Sequence, residues 1–177
     1  MMTGSGQRTT FQPGQPWPDN HGVPINAHGG GVLYHDGVYY WYGEHMGEGS
    51  QGNHAHVGVH CYSSADLYNW TDEGVALPVS TDPPSKLAAG CILQRPKVIY
   101  HASTGKFVMW FHHEFLEHLP RYATAASGVA VADSPTGPFV YRGSARPNVG
   151  AYPQNVVADQ KQPLDEATLT QIGRAHV

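Results

Sequence analysis

Apolar and polar residues alternate through most of the chain with the two-residue period of β-strands, and turn residues interrupt them at short intervals. The pattern starts near Gly30, after an extended lead-in over residues 1–24 that carries Pro13, Pro16, Pro18 and Pro24. The first strand runs to His35. Asp36-Gly37 then predicts a tight hairpin turn, because both residues tolerate positive φ. Val38 to Gly43 is a second, aromatic strand, and it ends on Glu44. Residues 44–55 are polar and glycine-rich and read as a loop. Val57 to Ser63 reads as a third strand, Asp66 to Trp70 as a turn, and Gly74 to Leu77 as a short fourth strand. Residues 78–89 form a linker.

The same order of events then recurs. Val98-Ile99-Tyr100-His101 echoes Val32-Leu33-Tyr34-His35 roughly 66 residues further on. A turn at Thr104-Gly105 leads into Lys106 to Glu114, which echoes Tyr39 to His45. After a polar loop to Ala126, Gly128 to Ala132 parallels Gly58 to Tyr62, Ser134 to Pro138 forms a turn, and Phe139 to Tyr141 closes the unit. Two copies of a four-stranded unit spaced by about 60–70 residues point to the blades of a β-propeller. One such sheet cannot bury both faces alone, and two blades do not close a ring. The expectation is an all-β, incomplete β-propeller over 25–157, with blade one at about 25–78 and blade two at about 91–143. A β-sandwich of about eight strands is the alternative, and the long connections of the inner strands weigh against it.

Past Tyr141 the pattern stops. Residues 146–162 read as a crossing loop, 165–170 have weak helical character, and 158–171 read as a truncated connection. Gln171 to Val177 is what CAG-ATC-GGA-AGA-GCA-CAC-GTC encodes, which from its second base matches a common sequencing-adapter oligonucleotide. Residues 172–177 are therefore expected to be adapter read-through, and the chain to be a fragment. On that reading, a motif missing late in the sequence carries no weight.

Composition narrows the class. The chain has 177 residues, which suggests one domain, and 21 Gly, 14 Pro and 10 Tyr with only 14% charged residues describe a turn-rich β protein. A net charge of −4 leaves no basic footprint, so no nucleic-acid partner is expected. No apolar run approaches the ~20 residues of a membrane span, so no membrane partner is expected either. The first 18 residues lack the apolar core of a secretory signal. Cys61 and Cys91 allow at most one bridge and form no C-x-x-C motif; two free, buried thiols are expected.

In a propeller, the ends of the inner strands line a pocket at the axis. The candidates for chemistry are therefore Asn26 and His28 before blade one, Glu44 after its second strand, Gln94 and Arg95 before blade two, and His112, His113 and Glu114 after its second strand. A carboxylate such as Glu44 accepts two hydroxyl hydrogen bonds from a sugar or serves as acid or base. Adjacent in a strand, His112 and His113 point to opposite faces, so one of them looks into a pocket. His54, His56 and His60 have spacing that a metal could use, but no carboxylate or cysteine completes a set, and scattered surface histidines are the simpler reading. Trp41, Trp70 and Trp110 suit core or inter-blade packing, with a sugar platform as the other use. The run Gly29-Gly30-Gly31 implies close approach of the backbone to another segment or to a ligand.

Five stretches, "PINAHGGGVLYHDGVYYWYGEH", "CYSSADLYNW", "RPKVIYHASTGKFVMWFHHE", "GVAVADSPTGPF" and "RPNVGAYPQNV", resemble glycoside hydrolase family forty-three, most of all its exo-β-1,3-galactanase-like subfamilies. The resemblance covers about Pro24 to Val157. It implies a five-bladed β-propeller, an oligo- or polysaccharide substrate, and inverting hydrolysis of a glycosidic bond in a galactosidase, galactanase or glucanase. Most of that family carries its base aspartate where this chain has Gly29, and an amide from a later blade is proposed to replace it in the galactanase-like branch. That branch has glutamates at the positions of Glu44 and Gln94, so Gln94 is a departure that keeps size and hydrogen bonding but loses charge. The substrate-binding set implied is Asn26, His28, Glu44, Gln94, Arg95 and His112. The general acid and the aspartate that tunes it fall in later blades, so the chain as given is expected to be inactive. No cofactor is required, although some relatives hold an axial calcium ion, for which no ligand set is visible here. Relatives acting on polysaccharides are usually exported. A non-catalytic carbohydrate-binding propeller is the alternative.

Overall fold

The structure is a computed structural model that describes residues 7–48, 54–55, 57–119 and 124–147. Eight strands form two antiparallel sheets of four. The first holds β1 (His28–His35), β2 (Val38–Glu44), β3 (Gly58–Ser64) and β4 (Thr71–Pro78), in chain order across the sheet. The second holds β5 (Ile92–His101), β6 (Lys106–Glu114), β7 (Ala126–Ala132) and β8 (Val140–Ala145), again in order. A short 3-10 turn, Leu116–His118, follows β6. These are two successive blades of an incomplete β-propeller, as the repeat predicts. The expected features of residues 148–177 lie outside the described residues.

The Asp36-Gly37 turn has φ of 48° and 84°, the doubly left-handed pair that matches strand twist, and it closes on the pair His35↔Val38. The turn after β3 is organised by Asp66, whose Oδ1 accepts the main-chain N–H groups of Tyr68 and Asn69 at 2.8 Å each. Hydrogen bonds from the Asn69 side chain and backbone hold the Asp66 carboxyl down at about 2.

β5 starts at Ile92, earlier than the Val98 start that the apolar pattern indicates. Pro96 hides the first half of this strand, because proline cannot donate to a ladder. It is tolerated because the pairing with β6 breaks between Gln94 and Lys97, with Arg95 in the left-handed region at φ 54°. β1 breaks in the same way between His28 and Gly31, with Gly29 at φ 56°.

The two sheets share one core. Tyr42, Val59, Cys61 and Ala76 of the first pack with Val98, Phe107, Met109, Phe111 and Ala130 of the second. Tyr42 donates to the Pro135 carbonyl at 2.7 Å, and Phe139 donates its N–H to Ala76 at 2.8 Å, so the turn before β8 is pinned to the first sheet. Cys61 and Cys91 are free and buried, as expected. Trp41 and Trp70 lie on the other face of the first sheet, 5.3 Å apart, and the lead-in covers them through Trp17 and Ile25. The Trp17 indole donates to the Tyr68 carbonyl at 3.0 Å. Among the described residues the opposite face of the second sheet is open: Ile99, Trp110 and Val140 are each about half exposed.

Candidate functional site

The paired bulges place the site. β1 and β5 lie side by side as the inner strands of neighbouring sheets. Register aligns His28 opposite Glu44 in one sheet and Gln94 opposite His112 in the other. The structural counterpart of Glu44 is therefore His112. Tyr39 to His45 correspond to Phe107 to His113, so the repeat as read over Lys106 to Glu114 is one residue too long at each end.

Glu44 is the centre of the cluster. It is buried, and its Oε2 has no hydrogen-bond partner. Its Oε1 lies 2.9 Å from where a Cβ on Gly29 would stand, and the stem of Arg95 lies 3.5 Å from the same point. Burial pushes the Glu44 carboxyl up to about 7, while the Arg95 charge pulls the other way. A buried carboxyl with a free oxygen, half protonated near neutral pH, marks a site that is prepared for a ligand.

The three glycines are explained by the chain itself, and none of them opens space for a sugar. A Cβ on Gly29 would meet Glu44, one on Gly30 would fall 1.7 Å from the Tyr42 carbonyl oxygen, and one on Gly31 would fall 2.8 Å from Lys97 Cδ. Lys97 reaches across from β5 and donates to the Gly30 carbonyl, bracing the bulge.

Around this centre, Arg95 and His28 are exposed, and Gln94 and His112 are half-buried. Burial lowers the pKa of His112, with Glu114 opposing and Arg95 reinforcing the shift. Asn26 stands apart. Its side chain donates to the Met46 carbonyl at 3.0 Å and accepts from the Met46 N–H at 2.9 Å, so both ends of the amide clamp the chain after β2. His113 is fully buried on the opposite face from His112, with Nδ1 2.8 Å from Ser144 Oγ.

Glu114 is a sequence candidate that the implied substrate-binding set leaves out. It is 1% exposed, it accepts the N–H groups of Thr124 and Ala125, and its Oε1 is 3.1 Å from His112 Nε2. The His-x-Glu spacing on a strand was the available signal, since it places both side chains on one face.

Among the described residues, no three His, Cys, Asp or Glu side chains converge as a metal-ligand set. His54 faces the Gly90 carbonyl, His60 is held by Asp72 at 2.6 Å, and His56 lies outside the described residues. A separate cavity of about 260 Å³ sits under the lead-in, lined by residues that include Arg8, Asn69 and Trp70. Arg8 and Asn69 are already hydrogen-bonded to each other there.

Neither a protein-family model nor a curated protein matches the chain. Solved structures do. A family 43 β-1,3-galactosidase, solved with galactodeoxynojirimycin, is 48% identical over 88% of this chain, with a TM-score of 0.77. An exo-β-1,3-galactanase from Clostridium thermocellum is 42% identical over 77% of the chain, with a TM-score of 0.66. The exo-β-1,3-galactanase from Phanerochaete chrysosporium, solved with β-1,3-galactotriose, is 34% identical over 74%, with a TM-score of 0.65. The chain spans 44% of the first of these proteins, 27% of the second and 28% of the third. The chain belongs to glycoside hydrolase family 43, as a stretch of its propeller.

Proposed function

We propose that the protein of which this chain is a part is a glycosidase that acts on β-1,3-linked galactose, and that the chain supplies one wall of its sugar pocket. The carrying observation is Glu44, a buried carboxyl with an unpartnered oxygen beside Gly29 and Arg95. The similar structures named above, a β-1,3-galactosidase and two exo-β-1,3-galactanases, point to the same sugar.

In this reading Glu44 grips the sugar. Half protonated near pH 7, it offers an O–H donor and an acceptor oxygen to neighbouring hydroxyls. Arg95, Gln94, His112 and His28 surround the same sugar, and Asn26 acts indirectly by fixing the strand end at Met46. Inverting hydrolysis needs an acid and a base about 6.5–9.5 Å apart. The Gly29 station supplies no side chain, and Glu44 fills the space beside it. The acid and base are therefore assigned to later blades, and the chain as given binds sugar without cleaving it. An axial calcium ion in the whole protein finds no ligand set among the described residues, and no step is routed through one.

The test is an NMR titration of the chain with galactose and β-1,3-galactobiose, run beside an assay for release from an aryl β-galactoside. Shifts at Glu44 and His112 without turnover are expected. Absence of any shift at high millimolar sugar overturns the binding role, and turnover overturns the assignment of acid and base to later blades. The neutral Gln94 and the bare Gly29 favour a second reading, a carbohydrate-binding propeller without hydrolysis. It requires that the longer protein bind galactan and leave it intact.

A further inference from the structure

We propose that Glu114 is a positioning residue that holds His112 with its proton on Nε2, so that His112 presents Nδ1 to the sugar as a hydrogen-bond acceptor. The inference rests on His112 touching the sugar, as proposed above.

The geometry is as follows. His112 and Glu114 lie two residues apart on β6 and share one face. Glu114 is 1% exposed, and donors occupy both its oxygens. Oε2 accepts the Thr124 N–H at 2.8 Å, and Oε1 accepts the Ala125 N–H at 3.0 Å. As a carboxylate Glu114 only accepts, and main-chain N–H groups already meet both its oxygens. The proton in the 3.1 Å contact between Glu114 Oε1 and His112 Nε2 therefore belongs to the imidazole. Neutral imidazole carries one N–H, so Nδ1 is left with a lone pair. The ring is 33% exposed, which leaves it within reach of a ligand.

The arrangement suits sugar hydroxyls. Arg95, in the adjoining bulge, can only donate, and Gln94, opposite His112, does both. A fixed acceptor at Nδ1 gives the second sheet what a fluctuating tautomer would supply only part of the time. A carboxylate that orients an imidazole through its remote nitrogen is the same device that orients metal-ligating and catalytic histidines. Glu114 also ties the chain back at Thr124 and Ala125, so its position does not depend on His112.

The test reads imidazole nitrogen shifts of the chain by NMR at pH 8, where His112 is neutral, together with a β-1,3-galactobiose titration. A single Nε2–H form of His112 in the wild type is expected, and a mixture in the free-imidazole ratio overturns the proposal. Glu114→Gln puts an amide N–H₂ among these donors and is expected to raise the Nδ1–H population of His112. It is also expected to weaken sugar binding about tenfold. An unchanged tautomer in Glu114→Gln overturns the proposal. If Glu114→Gln does not fold, Glu114→Asp, which withdraws the carboxylate from Nε2, takes its place with the same expected and overturning results. A locked tautomer in a protein whose His112 does not respond to sugar would uphold the positioning and defeat the sugar-binding role.

Discussion

Gly29 and Arg95 occupy the same station in neighbouring sheets. Each is the left-handed residue of a bulge, one position after the pair that precedes the break in the ladder, with φ of 56° and 54°. Glycine takes this conformation without strain, and arginine takes it at a cost of about 1–2 kcal/mol. Strain retained at such a station accords with a residue kept for its chemistry. The bulge turns Gly29 over the Glu44 carboxyl in one sheet and brings the Arg95 stem beside Gly29 from the other, where its charge acts on the same carboxyl.

The glycine run gives a graded series. Gly29→Ala places a left-handed Cβ beside the movable end of Glu44, and is expected to cost about 1–2 kcal/mol. Gly30→Ala drives a Cβ to 1.7 Å from a backbone carbonyl oxygen in β2. It is expected to cost more than about 4 kcal/mol or to prevent folding. Urea denaturation ranks the two variants, and equal losses would show that the bulge is not held as described.

Glu44 and His113 set opposite pH slopes. The Glu44 carboxyl rises from 4.5 to about 7 on folding, so the folded chain binds more protons between these values. Its contribution is present below pH 4.5 and is lost as pH rises through about 7. Burial depresses His113 from 6.5 to about 4, so there the unfolded chain binds more protons, and stability is lost as pH falls across that window. Across its window each group changes stability by about 3 kcal/mol. The wild-type profile is expected to be nearly flat between pH 5 and 6, about where the windows overlap. Glu44→Gln should leave stability rising with pH, and His113→Phe should leave it falling. Denaturant midpoints at several pH values check both signs.

Tyr42 and Trp110 stand at equivalent places in β2 and β6 but in different surroundings. Tyr42 is fully buried between the sheets, whereas Trp110 is 48% exposed on the open face. Tyr42→Phe removes the hydrogen bond to Pro135 and is expected to cost about 0.5–1.5 kcal/mol. Trp110→Ser is expected to cost less than about 1 kcal/mol in this chain. Thermal melts of both variants decide, and a larger loss for Trp110→Ser would mean that its face is covered in solution.

The lead-in is part of the folded unit. Trp17 packs at 5.8 Å from Trp41 and 6.2 Å from Trp70, and Asp19 accepts the N–H groups of His21 and Val23 to shape the bend that follows. Trp17→Ala is expected to cost about 2–3 kcal/mol. It should also red-shift the fluorescence of the remaining tryptophans. A melt that matches the wild type would show that the first sheet does not need this cover.

The sequence made the blades legible because a two-residue period bounded by Asp36-Gly37 and Thr104-Gly105 has one local solution. It hid the start of β5, because Pro96 breaks the local rule and only a bulge against β6 permits it. It brought Glu44 and His112 into the candidate set because the ends of β2 and β6 are readable from period, whereas Gln94 and Arg95 entered as residues ahead of the apolar run at Val98 and lie at a bulge inside β5. It gave no sign that the Asn26 amide bonds to Met46, through a contact that no spacing reveals. It offered Glu114 as a candidate but gave no sign of its role, because its burial and the N–H groups of Thr124 and Ala125 are properties of the folded chain. The purpose of Gly31 was equally hidden, since the side chain filling its space, Lys97, belongs to the next sheet.

The shared bulge has an evolutionary consequence. Duplicating one four-stranded unit copies the left-handed station along with the strands, so each new blade brings a backbone already turned toward the axis. Selection then has only to change the residue types at that station and at the strand end opposite. One blade here carries glycine above a carboxyl, and the next carries arginine beside an imidazole. A new sugar preference can arise in this way without any invention of backbone.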